Sequence, residues 1–289
     1  MRVLVVNIPT GKPDSPFGDW ARERYVPLLK KNIDLVKSPD TEVTFRFAEW
    51  GMYPVEMAYY RYLDHLAGEM VFHAAQNAEE EGFDAVMIDC FGDPMVYELR
   101  QALGIPVVAI GEASMLLTSM MCDKFGIVAI SPLNIPETWE HLERYRIAGS
   151  CIQQLPIEGW EQGDGAGEDE GDDLADCGDK LERFMITAEK LVAMGAEAII
   201  PGCSITSPMV RLCPGQEDKY PNGVTEIDGA AVIDIIGESF KITEALASLR
   251  KGGSSWVSRK CKYAQPSDQI RKEAQPITTS DKFKFWDIT

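Results

Sequence analysis

Six short apolar runs punctuate the chain: Val3–Asn7, Val43–Phe47, Ala85–Ile88, Val107–Ile110, Ile127–Ile130 and Ala198–Ile200. Each is nearly continuous and closed by turn residues, the pattern of a parallel strand buried on both faces. Between them, Tyr59–Glu81, Pro136–Arg146, Leu181–Met194 and Gly229–Leu249 read as helices. Strands alternating with helices predict an α/β fold built on parallel sheets. Residues 11–19, rich in Gly, Pro and Asp, and residues 211–223, with Cys213-Pro214-Gly215 and Pro221-Asn222-Gly223, read as loops.

At 289 residues the chain suggests two domains, or one large domain with two lobes, and its 45% hydrophobic content suffices for a full core. Basic residues number 28 and acidic ones 46, a formal charge of −18. A field of that sign repels phosphate backbones and anionic lipid heads, so neither nucleic acid nor a membrane is an expected partner. No apolar run approaches the roughly 18 residues of a membrane span, and the first residues lack the apolar core of an export signal. A soluble cytoplasmic protein is expected.

Seven cysteines, an odd number, are expected as reduced thiols in that compartment. No two lie closer than ten positions, and His65, His73 and His141 form no close ligand pair, so no metal site is expected. Charge is uneven. Residues 161–179 hold nine acids and no base, without the ligand order of a calcium loop, and read as a solvated surface loop. Replacing residues 162–173 with a short Gly/Ser linker should leave cooperative unfolding intact, as circular dichroism during a urea titration would report. From Arg250 onward nine bases face four acids, a local +5. That basic tail lies either on the acidic loop or across a neighbouring subunit.

One internal repeat carries the candidate chemistry. Gly82-Phe83-Asp84-Ala85-Val86-Met87-Ile88-Asp89-Cys90 parallels Gly195-Ala196-Glu197-Ala198-Ile199-Ile200-Pro201-Gly202-Cys203 at a constant offset of 113. Each copy follows a helix and leads into a turn and another helix. Each cysteine therefore ends a parallel strand, where open α/β sheets bind ligands. A helix N-terminus close behind would also lower each thiol's pKa. A cysteine ending a strand is often a plain core residue. At matched positions of a repeat, facing each other across a cleft, two thiols suit inversion at carbon. One thiolate removes the proton and the opposite thiol returns one from behind.

Asp84-Ala85-Val86, Cys90-Phe91-Gly92-Asp93-Pro94, Ile105-Pro106-Val107-Val108 with Glu112-Ala113, Gly195 to Cys203 and Val224 to Ala231 together resemble the Asp/Glu/hydantoin racemase family, most of all its hydantoin and allantoin racemases. The likeness spans roughly residues 1–249. It implies two similar α/β lobes related by a pseudo-two-fold, with parallel sheets flanked by helices and the active site in the cleft between them. It implies no cofactor and a two-cysteine proton transfer by Cys90 and Cys203. The chain should cross to the second lobe after Glu112 and return near Val224. The first lobe is then 1–114 plus 222–289, and the second is 115–221 with the acidic loop. The sequence departs from the family after Asn7, where Ile8-Pro9-Thr10-Gly11 replaces Asn-Pro-Asn-Thr, and after Cys203, where Ser204 and Thr206 replace small apolar residues.

Further residues cluster around these strand ends. Asn7 either bonds substrate or caps its loop as an Asx-turn. Ser131 ends the matching strand of the second lobe, where the family has a substrate-contacting hydroxyl. Phe91 flanks the first thiol, and Gly92 and Ser204 follow the two cysteines, offering backbone N–H groups to a carbonyl or carboxylate. Asp93 either orients a substrate N–H or caps a helix starting at Pro94. Glu112 is expected to bond backbone at the crossover. Trp20, Trp50 and Tyr53 form a lid or pack in the core.

The function expected is a cofactor-independent racemase or epimerase acting alpha to a carbonyl. Its small-molecule substrate is a 5-substituted hydantoin, allantoin or an amino-acid-like compound, and the enzyme is a homo-oligomer. The alternatives are a lyase or isomerase of the same family, of the decarboxylase or maleate-isomerase kind, and a non-catalytic ligand-binding relative.

Overall fold

The computed structural model describes residues 1–8, 11–49, 60–159, 177–278 and 283–289. The expectations for Trp50, Tyr53 and most of the acidic stretch fall outside them. Ten strands run in chain order as β1 (Arg2–Asn7), β2 (Glu42–Ala48), β3 (Ala85–Asp89), β4 (Val107–Ala109) and β5 (Phe125–Ala129), then β6 (Cys151–Pro156), β7 (Ala198–Pro201), β8 (Glu226–Ile227), β9 (Ala230–Val232) and β10 (Phe285–Ile288). They form two five-stranded sheets, ordered β10-β2-β1-β3-β4 and β6-β5-β7-β9-β8. All pairs are parallel except β10 with β2 and β8 with β9, both at sheet edges. Without those edges the two sheets repeat one plan, β1 matching β5, β2 matching β6, β3 matching β7 and β4 matching β9. The repeated sequence units thus occupy equivalent strands, β3 and β7.

Three expected boundaries move. β9 pairs in parallel with β7, so residues 226–232 belong to the second sheet and the chain leaves it only after Val232, not near Val224. The helix expected from Gly229 begins instead at Ile235, because Asp234 caps it, its Oδ1 accepting from Gly237 N at 2.9 Å. The 11–19 loop also ends early. Ser15 caps α1 (Pro16–Trp20), which continues through a π-helical turn (Ala21–Tyr25) into α2 (Val26–Asp34). The remaining helices are α3 (Arg61–Ala75), α4 (Val96–Ala102), α5 (Ile110–Met121), α6 (Ile135–Tyr145), α7 (Gly178–Ala193), α8 (Thr206–Leu212), α9 (Ile235–Lys251) and α10 (Asp268–Thr278). None of the described helices is long and apolar enough to cross a membrane.

The packing explains the continuous apolar runs. Along β1, Leu4 and Val6 face one buried cluster with Ala67, Met70 and Val71 of α3 and Leu99 of α4. Val3 and Val5 face another, with Leu29 of α2, Ile110 of α5 and Phe240 of α9. That second cluster also holds Phe125, Ile127 and Ile200 of the other sheet. Both faces of the strand are thus withdrawn from water, so no polar alternation survives. A third cluster, including Val128, Phe184, Leu191 and Met209, covers the far side of the second sheet with α7 and α8.

The basic tail packs on its own first lobe. Arg250 pairs with Glu79 at 2.8 Å, Lys251 with Asp84 at 2.8 Å, and Trp256 Nε1 donates to Gly104 O at 2.9 Å. β10 then closes the open edge of β2. There Asp287 pairs with Arg46 at 2.8 Å, and Trp286 stacks on Phe47 with centroids 5.0 Å apart.

Candidate active site

β3 is buried along all five residues and delivers Cys90 to its C-terminal end. β7 delivers Cys203 to the equivalent end of the other sheet. Both thiols line one cavity of about 90 Å³. The first lobe contributes Ile8, Asp89, Cys90, Phe91 and Gly92 to its wall. The second contributes Ile130, Asn134, Glu137, Thr138, Gly202, Cys203, Ser204 and Ile205. Larger cavities of about 980 and 540 Å³ lie against the tail and hold neither thiol.

The turn after Cys90 is wound tightly, with Asp93 at φ 49° and Met95 at φ 55°, so α4 starts only at Val96 and has no side-chain cap. Asp93 faces away from the cavity. Its Oδ1 accepts from Gly111 N at 2.8 Å, and its Oδ2 accepts from Glu112 N and Tyr145 Oη, each at 2.6 Å. It caps α5, not a helix at Pro94, and both its oxygens are engaged by the protein. Gly111 permits this: a Cβ there would lie 2.4 Å from Phe91 O. Glu112 bonds Arg100 in a bidentate pair instead of backbone, both side chains being 14% exposed.

Ser131 is fully buried and accepts from Leu133 N at 3.1 Å, holding the turn after β5 and not the cavity wall. Asn7 sits one strand over from Asp89 and donates to its Oδ2, in a bond made within the protein and not as an Asx-turn cap. Phe91, Gly92 and Ser204 stand on the wall with the two thiols.

Several residues the sequence did not single out also belong here. Tyr25, fully buried, is brought inward by the π-helical turn. Its Oη donates to Asp89 Oδ2 at 2.8 Å and lies 3.2 Å from Ser204 Oγ, so Asn7, Asp89, Tyr25 and Ser204 form a chain between the two cysteine-bearing strand ends. Trp20 stacks on Tyr25 at 4.9 Å, which makes it a packing residue and not a lid. The one available signal was Asp89 itself, an acid closing an otherwise apolar buried run.

Electrostatics correct a second expectation. The late start of α4 leaves Cys90 without a helix end, and burial pushes its thiol well above the ordinary value, with Asp64, Asp93 and Glu137 adding to the rise against a bond from the Gly92 N–H. Cys90 therefore rests as a neutral thiol, a proton donor. Cys203 Sγ accepts from Ile205 N at 3.4 Å, just before α8.

Burial also raises Asp89, Asp93 and Glu137 to about 7, Asp64 to about 6 and Glu238 to about 8. The folded protein keeps protons on these carboxyls that the unfolded chain, with values near 4, has already lost. Stability should therefore fall as pH rises from about 4 to about 8. His141, lowered by burial to about 4, acts the other way below its ordinary 6.5, while Asp84 and Glu244, lowered by their partners, act the other way only near and below pH 4. Urea unfolding at about pH 5.5 should give the larger unfolding free energy, compared with pH 8; the reverse order would contradict these assignments.

A model of the Asp/Glu/hydantoin racemase family matches residues 33–233. The hydantoin racemase of Pseudomonas sp. (strain NS671) is 36% identical over 93 residues, 32% of this chain and 36% of that one, so the match spans about a third of that relative. The hydantoin racemase of Paenarthrobacter aurescens is 28% identical over 211 residues, 68% of this chain and 76% of that one. Among solved structures, an allantoin racemase from Klebsiella pneumoniae superposes with a TM-score of 0.70 at 21% identity, over 93% of this chain and 94% of that one.

Proposed function

The chain belongs to the Asp/Glu/hydantoin racemase family; from that premise we propose that it is a racemase in which Cys90 and Cys203 invert a carbon alpha to a carbonyl without a cofactor. The observation that carries this reading is the placement of both thiols, from equivalent strands of two lobes, on one small cavity. In one direction the Cys203 thiolate takes the Cα proton, the C–H electron pair becomes the enolate, and the neutral Cys90 thiol delivers its proton to the opposite face. Cys203 ends as thiol and Cys90 as thiolate, ready for the reverse direction. The backbone N–H of Ser204 is the donor we assign to the enolate oxygen, since the N–H of Gly92 is held by the Cys90 thiol.

The preferred substrate is a 5-substituted hydantoin or a related cyclic ureide such as allantoin. None of the described residues lining the cavity is Lys or Arg, whereas Asp89 and Glu137 are acidic. A free amino-acid carboxylate would enter that wall without a counter-charge, while a neutral ring would not meet this cost. The ring C–H is also the more acidic, so a thiol-based site has less to supply.

Solvent deuterium uptake at Cα tests this directly. Enantiopure 5-substituted hydantoins incubated with the enzyme in D2O, with no cofactor added, should lose optical rotation and gain one deuterium. Uptake by amino acids but not by hydantoins would reverse the substrate assignment. Uptake by neither, with ligand binding confirmed, would favour a binding protein on the same scaffold.

A further inference from the structure

Asp89 is fully buried, ends β3 and directly precedes Cys90 on the cavity wall. Its Oδ2 takes two donors, Asn7 Nδ2 and Tyr25 Oη. Its Oδ1 has no hydrogen-bond partner among the described residues, and neither does Oδ1 of Asn7, which is 3% exposed and paired with Asp89 in strand register. Once Asp89 ionises, above the value of about 7 to which burial raises it, its Oδ1 is thus a buried acceptor on a wall residue without a donor among the described residues, an unfavourable arrangement. A ligand that offers an N–H there relieves it; one that offers a carbonyl or carboxylate sets acceptor against acceptor.

We infer that Asp89 is a specificity-determining residue whose Oδ1 accepts the N–H attached to the carbon being inverted. The inference rests on the racemase reading above, which puts that carbon between the two thiols. Asp89 is the chain neighbour of one of them, so its free oxygen falls to the atom bonded to the reacting carbon. In a 5-substituted hydantoin that atom is the ring N1; the N3–H lies beyond a carbonyl on either side. An α-ammonium group offers the same donor, but the carboxylate beside it finds no Lys or Arg among the described lining residues.

A purely structural Asp89 would anchor Tyr25 and Asn7 and nothing more. Asp89→Asn separates the two roles. The amide oxygen of the variant can still accept from Asn7 and Tyr25, but the group turned to the cavity becomes a donor. Shape is kept and polarity is inverted.

The test measures binding by calorimetry, at a pH well above the value of about 7 at which Asp89 ionises, of one 5-substituted hydantoin and its 1-methyl and 3-methyl derivatives, to wild type and to Asp89→Asn, with racemisation followed separately. Wild type should bind the 1-methyl compound roughly 10- to 100-fold more weakly than the parent and the 3-methyl compound nearly as well as the parent. Asp89→Asn should bind the parent about tenfold or more weakly than wild type does, and should no longer discriminate against the 1-methyl compound. Equal binding of parent and 1-methyl hydantoin by wild type overturns the assignment, and this comparison stands even if the variant does not fold. Discrimination retained in Asp89→Asn also overturns it, since the rejection is then steric. Failure of every hydantoin to bind overturns it together with the substrate reading. Binding that follows the expected pattern without racemisation upholds Asp89 and sinks the two-thiol mechanism alone.

Discussion

Cys90→Ala and Cys203→Ala should each abolish racemisation, because inversion needs a proton acceptor on one face of the carbon and a donor on the other. A positioned general acid or base contributes about 10²- to 10⁴-fold, and each variant removes one partner outright, so a loss at or beyond that range is expected. Chiral chromatography of the reaction mixture reads it. Cys90→Ala should still exchange the Cα proton of one enantiomer with solvent through Cys203, whereas Cys203→Ala, left with a thiol that rests neutral, should exchange the opposite enantiomer far more slowly. Ser in place of either Cys should be severely slowed, as a hydroxyl is a far weaker acid than a thiol. Changes at Cys122, Cys151, Cys177, Cys213 or Cys261 should act through stability and leave the rate nearly unaltered. Iodoacetamide should react slowly with Cys90 near neutral pH, given its raised pKa. Near-wild-type racemisation by either alanine variant would rule out the two-thiol mechanism.

Trp286→Ala should cost the protein stability although the residue lies near the end of the tail. The indole stacks on Phe47 and donates from Nε1 to Gly11 O at 3.0 Å. Phe47 in turn meets Phe17 edge-on at 5.9 Å, Phe17 meets Trp20 at 5.5 Å, and Trp20 stacks on Tyr25. The tail strand therefore backs the aromatic wall that ends at Asp89. Removing a fully buried large aromatic costs about 3–5 kcal/mol, and Trp286 is half-buried, so a loss of about 2–3 kcal/mol is expected. It should appear as a lower urea midpoint at unchanged slope. A change within about 0.5 kcal/mol would show that β10 is only laid against the sheet, not supporting it.

Much of the architecture was legible because burial on both faces leaves a mark that needs no partner to be seen. The six apolar runs all became strands, and the 113-residue offset between Cys90 and Cys203 predicted their equivalent strand ends. Weaker marks failed. Ala230–Val232 is three residues long, and nothing local distinguishes it from the first turn of the helix behind it; pairing with β7 and β8 makes it a strand. Asp93 next to Pro94 has the look of a helix cap, yet its donors are Gly111, Glu112 and Tyr145, the last of them 52 positions away.

The sequence by itself determined the periodicity of the chain, the repeat, and the two thiols at strand ends. These are local properties: side-chain alternation and turn chemistry are set within a few residues. Only the tertiary structure decided what surrounds those thiols. Tyr25 meets Asp89 from 64 positions away and Ser204 from 179, and Asn7 meets Asp89 from 82. The elevation of Cys90 comes from the water excluded by both lobes together. The basic tail lies on the first lobe because β2 had an open edge with Arg46 and Phe47 beside it, a partner that no stretch of the tail's own sequence could reveal. Burial and long-range pairing are sums over the whole fold, and they exist only once the chain has closed on itself.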